Sequence, residues 1–322
     1  MEKMYPMRLS PVCKSPIWGG TRLLQDFGKD CSALTLGESW ELTVRPSEVS
    51  RVENGVFAGM RLDEVIKEHK NEITGGKFGV SDFPLLIKLI DAGDRLSVQV
   101  HPDDAYAKRI ENGCGKTEMW YIVEAEAGAE LILGLKEGVK AADFAKAVTE
   151  GKTDAALRHV PVHAGECYFI PAGLVHAIGR GILLAEIQQN CDCTYRVYDY
   201  ERRDSQGNLR ELHIQKALDV IRSFSEAEIE AARYSHAAKG ERNEELLAHC
   251  GFFRVKKWSL HGRRLIPDAG HMRHVLIIAG EGVLECNGVA YPITRGESWL
   301  LPAALSELSV SGNVTLLITT SN

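Results

Sequence analysis

A glutamine and a histidine two residues apart, Gln99 and His101, stand in the run LSVQVHP at 96–102. Side chains alternate along an extended strand, so Ser97, Gln99 and His101 share one face while Leu96, Val98 and Val100 share the other. Inside a barrel a polar face needs partners, and a metal ion satisfies an amide oxygen and an imidazole together. Downstream, GKTEMW at 115–120 offers Glu118, and GECYFIPAGLVHAIG at 165–179 offers His176 from a proline-glycine turn. Two imidazoles, a carboxylate and an amide oxygen form a donor set for zinc, with manganese and iron(II) chemically admissible. Taken singly, each of these residues reads as a hydrogen-bonded or surface group; the shared strand face and the repeat described below raise them together.

Past His176 the run LLAEIQQNCDCTYRVYDY (183–200) holds Glu186, on the strand face opposite Leu183, Ala185 and Ile187, and Arg196 among aromatics. A guanidinium there suits a phosphate or a developing oxyanion, which it grips at two points where lysine offers one. The competing reading of Arg196 is a salt bridge to Asp199 or Glu201. Alone, Glu186 and Lys116 read as solvated charges. His159 and His163 in HVPVH also share a strand face but are read as lacking a nearby carboxylate, and are assigned to the surface.

The elements that must position these groups are mostly strands. FPLLIKLI (83–90), LSVQV (96–100), MWYIV (119–123), AELILG (129–134) and CYFIP (167–171) are strand-length apolar or alternating bursts separated by turn residues. Helical runs interrupt them at 61–69, 143–151 and 213–224, the last with Ile214, Ala217, Leu218 and Ile221 on one face. Ser225 followed by Glu228 predicts a capping box opening a further helix. GESWLLPAALSELSV, from Gly296, aligns without gaps with GECYFIPAGLVHAIG: Gly296 falls on Gly165, Glu297 on Glu166, Pro302 on Pro171 and Glu307 on His176. A recurring unit of many short strands predicts a jelly-roll barrel in each half. The composition turns polar at 235–246, which places a boundary between residues 1–240 and 241–322.

The chain has 322 residues, enough for two cores, and a formal charge of −6 without long like-charge blocks. That balance gives no support to a nucleic-acid partner, and no apolar run approaches the ~20 residues of a membrane span. Eight irregularly spaced cysteines, without an N-terminal basic-then-apolar signal, read as reduced thiols of a cytoplasmic protein. Cys191 and Cys193 are the one close pair, and no second pair at matching spacing completes a zinc knuckle.

PIWGG (16–20), GESWE (37–41), FPLLIKLIDA (83–92), LSVQVHPDD (96–104), GKTEMWYI (115–122), IPAGLVHAI (170–178), EIQQ (186–189) and TYRVYDY (194–200) together resemble the type I mannose-6-phosphate isomerases in their short bacterial form. The resemblance runs in order over most of the chain. It implies an all-β fold of two cupin barrels with helical insertions, one zinc per chain, and interconversion of mannose 6-phosphate with fructose 6-phosphate, a small phosphorylated sugar being the partner. Carried over by position, it puts zinc ligands on Gln99, His101, Glu118 and His176, an active-site arginine on Arg196, and substrate-side groups on Lys116 and Glu186. Arg45 before Pro46 is a departure, since the family pattern often has histidine there.

Such an isomerisation can move a proton between adjacent carbons through an enediol, with Glu186 the preferred base and Lys116 its rival. The same two histidines and carboxylate also describe an iron(II) oxygenase, in which Gln99 would occupy a position that oxygen needs. A sugar-binding cupin without catalysis is the third reading. The aligned Glu307 has no converging imidazoles, because His271 and His274 lie three apart, so the second barrel is expected to hold no metal.

Overall fold

Strand-length apolar runs demand sheets, and the computed structural model, described over residues 4–204, 206–234 and 243–321, is built on them. A seven-stranded sheet runs, in spatial order, Arg233–Tyr234, Cys167–Ile170, Glu118–Ala125, Ile182–Gln189, Leu85–Ala92, Glu38–Leu42 and Val12–Lys14. A five-stranded sheet runs Leu157–Pro161, Glu130–Leu135, His176–Ile178, Val98–Val100 and Tyr195–Tyr198. The third, eight-stranded sheet holds the C-terminal strands together with Met7–Ser10 and Arg51–Val52 from the N-terminal end.

Period-two alternation divides the side chains among three cores. From the seven-stranded sheet Ile90, Trp120, Ile122 and Leu184 face inward, where they meet Leu131, Leu133 and Ile178 of the five-stranded sheet. Its other face, with Leu85, Ile87, Leu89, Met119, Leu183, Ala185 and Ile187, packs on the C-terminal sheet. The outer face of the five-stranded sheet, with Val98, Val100, Ala177, Tyr195 and Val197, is covered by helical residues Phe144, Ala217 and Val220. One expectation needs correcting. Leu96 does not share a core with Val98 and Val100; it joins the interior cluster, because the strand begins only at Val98 and the alternation does not extend back to it.

The helical insertions form at Leu62–Glu68, Ala141–Thr149, Ile214–Val220 and Glu226–Ala232. Ser225 and Glu228 make the capping box, Ser225 Oγ accepting from the Glu228 amide and the Glu228 carboxylate from the Ser225 amide. The third helix is shorter than its apolar face implies. At Ile221 the chain turns extended and the Arg222 amide donates to the Gly173 carbonyl instead of continuing the ladder.

The repeat is structural as well as sequential. Gly165 and Gly296 both have φ of +90°, each followed by a strand, Cys167–Ile170 or Ser298–Leu301, that ends at the aligned proline. In each copy the glutamate after the glycine accepts from the amide three residues back, Glu166 from His163 and Glu297 from Thr294. Each also accepts from the aromatic two residues on, Tyr168 or Trp299. The copies part after the proline: His176 enters a strand, whereas Glu307 is exposed in a turn at φ +52°. The 240/241 boundary lies outside the described residues.

Candidate metal centre and active site

Cross-strand register collects the polar groups on the inner faces of the two opposed sheets. In the five-stranded sheet Gln99 is the partner of both His176 and Arg196. In the seven-stranded sheet Glu118 pairs with Gln188, and Trp120, Glu186 and Lys88 form one row. His101 follows directly on the Val98–Val100 strand.

His101, Glu118 and His176 are fully buried, with their donor atoms within 4.8 Å of one another. His101 Nδ1 lies 3.0 Å from the Cys193 carbonyl, and His176 Nδ1 lies 2.8 Å from the Leu174 carbonyl. A carbonyl only accepts, so both rings carry hydrogen on Nδ1 and direct the Nε2 lone pair inward. Each Nε2 stands 3.5 Å from a Glu118 oxygen, His101 from Oε2 and His176 from Oε1. Burial depresses both imidazoles, His176 to about 4 and His101 well below its ordinary value, with the Lys116 charge contributing to each. Two neutral imidazoles thus point lone pairs at a carboxylate. His176 Nε2 and Glu118 Oε1 are buried without a hydrogen-bond donor between them. The Lys116 ammonium reaches His101 Nε2 and Glu118 Oε2, but His176 Nε2 and Glu118 Oε1 still face each other as acceptors, which is unfavourable in a dry interior unless a cation lies between them, so the residues fit a metal. The anchoring carbonyls are the outer partners that ligating histidines ordinarily have.

Lys116 and Glu186 are 4% and 3% exposed, which corrects their reading as solvated charges: both point into the barrel, where the sheets exclude water. Lys116 Nζ is 2.8 Å from Glu118 Oε2 and 3.1 Å from His101 Nε2. Burial lowers the Lys116 ammonium's pKa, but Glu118 and Glu186 outweigh it and hold the group protonated. For Glu118, burial and the neighbouring Glu186 charge raise the carboxyl to about 7 despite Lys116. For Glu186, burial pushes up, yet Lys88 and Lys116 prevail and bring it to about 2. Lys88 Nζ lies 3.0 Å from Glu186 Oε1, and the Trp120 indole donates to Oε2 at 3.0 Å.

Arg196 makes no pair with Asp199, whose carboxylate accepts from Arg202 and Arg210. Its guanidinium instead donates to the Glu211 carbonyl at 2.9 Å and to Ser97 Oγ at 3.3 Å. His159, on the surface as expected, does have carboxylates: Glu130 at 3.2 Å from the adjacent strand and Asp154 at 3.1 Å. Asp154, five residues upstream, and Glu166, which stands 3.6 Å from His163, were in view in the sequence and correct the reading that these histidines lack a carboxylate, whereas Glu130, across the sheet, is invisible to spacing along the chain. Lys88 and Trp120 were missed for a similar reason, although a lysine inside FPLLIKLI at inward parity was a usable signal.

Comparison with known proteins agrees with this geometry. Residues 7–133 match the model of phosphomannose isomerase type I, catalytic domain, and residues 243–321 that of mannose-6-phosphate isomerase, cupin domain. The mannose-6-phosphate isomerase of Streptococcus mutans is 38% identical, with 98% of each chain covered. Mannose-6-phosphate isomerase ManA of Bacillus subtilis is 39% identical over 95% of this chain and 96% of its own. The crystal structure of the Bacillus subtilis mannose 6-phosphate isomerase superposes with a TM-score of 0.85 at 34% identity, covering 98% of this chain and 100% of that one. The barrel, its inward polar rows and these full-length relatives lead to one conclusion: the chain is an isomerase belonging to the type I phosphomannose isomerase family.

Proposed function

We propose that the chain interconverts mannose 6-phosphate and fructose 6-phosphate by proton transfer through an enediol, at a single zinc centre held by Gln99, His101, Glu118 and His176. The observation that carries this reading is the trio of buried, mutually facing donor atoms of His101, Glu118 and His176. When bound, zinc supplies Lewis acidity toward the sugar oxygens. Carbonyls of Cys193 and Leu174 fix both imidazoles in the ligating tautomer.

Glu186 is the base in this reading, because at neutral pH it is ionised while Lys116 is protonated. Lys88 and Lys116 make Glu186 a weak base, but the same positive field stabilises the enediolate, so the proton transfer between them is less affected than either group alone. Lys116 is the cation beside the sugar oxygens, and Arg196 the two-point partner of the phosphate. Free cysteines support a reducing, cytoplasmic setting, and no helix among the described residues is long and apolar enough to cross a membrane. The trio by itself would also suit the oxygenase reading; the family match and the buried Lys116 and Glu186 beside the trio favour the isomerase over it and over binding alone.

Turnover of mannose 6-phosphate in heavy water tests the route. Solvent deuterium in the fructose 6-phosphate formed is the expected result; because a buried base can return the proton it took, the enediol is ruled out by complete retention of the substrate hydrogen together with undiminished turnover in Glu186→Gln.

A further inference from the structure

The cysteines singled out by their close spacing have a partner in the fold. Cys114 lies in the loop entering the Glu118–Ala125 strand, and Cys191 just after the Ile182–Gln189 strand. Because those strands pair through Glu118 and Gln188, the two loops run side by side, with the Gln189 amide donating to the Thr117 carbonyl at 3.1 Å. The thiols cross between them: Cys191 Sγ donates to the Cys114 carbonyl at 2.9 Å, and Cys114 Sγ to the Asn190 carbonyl at 3.4 Å. Cys191 is buried, whereas Cys114 is partly open to solvent. Arg45, the residue that departs from the family pattern, closes over this segment, donating to the Asn190 carbonyl at 3.0 Å and pairing with Asp192 at 2.7 Å.

We propose that Cys114 and Cys191 form a redox-sensitive dithiol, which a hydroperoxide converts to a disulfide that lowers the activity of the adjacent site. The thiols differ as an attacking and a resolving group should. The adjacent Cys191 side chain, able to turn its hydrogen to a Cys114 thiolate, pulls Cys114 down to about 7 against the effect of burial, with Arg45 assisting, while Cys191 is pushed up. Burial raises Cys13 and Cys193 to about 11 and Cys167 further still.

The chemistry balances with the hydroperoxide as oxidant. The Cys114 thiolate attacks the peroxide oxygen, the O–O bond breaks, and hydroxide or alkoxide leaves, giving the sulfenic acid. Cys191 sulfur then attacks Cys114 sulfur, the S–O bond breaks, and water departs with the Cys191 proton. Two thiols lose two electrons, and one hydroperoxide gains them.

The disulfide acts on the site through the 190–193 segment. Bond formation removes the proton that Cys191 donates to the Cys114 carbonyl and displaces the sulfur that accepts from the Cys193 amide at 3.3 Å. The Cys193 carbonyl, which sets the His101 ring, moves with this segment. Loss of such an outer partner lowers metal affinity or activity about 10–100-fold. Only this effect on activity rests on the metal-centre reading; bond formation does not.

The test uses the metal-loaded full chain, treated with hydrogen peroxide, quenched with catalase, alkylated, digested and mapped by mass spectrometry. A linked Cys114–Cys191 peptide is expected, with mannose 6-phosphate turnover down about ten-fold or more and restored by dithiothreitol. Cys114→Ser is expected to keep its activity before and after peroxide. The wild-type map stands by itself if that variant folds poorly. Absence of the linked peptide, unchanged turnover of linked enzyme, or equal peroxide inactivation of Cys114→Ser would each overturn the proposal. Failure of the isomerase reading would show differently, as no turnover before treatment with the linked peptide still formed.

Discussion

Glu186 lies between two lysines and an indole, and its behaviour is set by them rather than by its own chemistry. Replacing Lys88 by methionine removes the nearest charge that holds Glu186 at about 2, while burial, which pushes up, stays. The Glu186 pKa therefore rises, and the acid limb of kcat/KM against pH moves to higher pH by about a unit or more. An unmoved limb would remove Glu186 from the base role. Breaking this buried pair also costs about 3–5 kcal/mol of stability, visible in denaturant unfolding. Arg196→Lys keeps the charge but not the planar fork, so KM for mannose 6-phosphate is expected to rise about ten-fold, and near-normal kinetics would leave Arg196 a structural tie to Ser97 and Glu211. At this scale the sequence was informative where a side chain carries the signal: His101, Glu118 and His176, singled out by residue type, have donor atoms within 4.8 Å of one another. It was silent on the Cys193 and Leu174 carbonyls that select the ligating tautomer, because every residue has a carbonyl.

Gly173 shows how an element presents a ligand. Its φ of +87° sharpens the turn between Pro171 and His176, its amide donates to the His101 carbonyl at 2.9 Å, and its carbonyl accepts from Arg222. A Cβ there would meet the Val220 carbonyl at 2.9 Å as well as the Arg222 side chain. Gly173→Ala is therefore expected to lose about 1–3 kcal/mol in thermal unfolding and to bind metal more weakly, since the turn tied to both histidines is displaced. Wild-type stability and affinity would contradict that account. Element types were legible from period and capping: Ser225 and Glu228 open their helix as the motif predicts. Element ends were less so. The Ile214–Val220 helix stops because Arg222 bonds to Gly173, and Leu96 leaves the alternation because its strand begins at Val98; both ends depend on distant residues.

The whole molecule is one seven-stranded sheet shared by two interiors, polar and ligand-bearing on one side, apolar and packed on the C-terminal sheet on the other. The repeat announced the second barrel, but the pairing of Met7–Ser10 with Ser298–Leu301 left no local trace, since each strand alone could join any edge. A buried pair ties the parts: Lys29 Nζ is 2.7 Å from both Glu41 oxygens and also donates to the Gly296 carbonyl. Lys29→Met strands Glu41 without its partner, so denaturant unfolding is expected to show a loss of about 3–5 kcal/mol, and a neutral result would mean the pair is dispensable. We also propose 1–240 as the metal-binding unit and 241–322 as a metal-free one; in the latter His274 is buried against Ser298 at 2.7 Å, and Glu307 faces solvent. The central claim, a single catalytic metal centre, is tested most directly by titrating metal-stripped protein with zinc while following bound metal and mannose 6-phosphate turnover. Activity is expected to rise in step with binding and to level off at one zinc per chain, with His176→Ala binding none tightly. Two tightly held ions per chain, or full turnover by the metal-free protein, would contradict it.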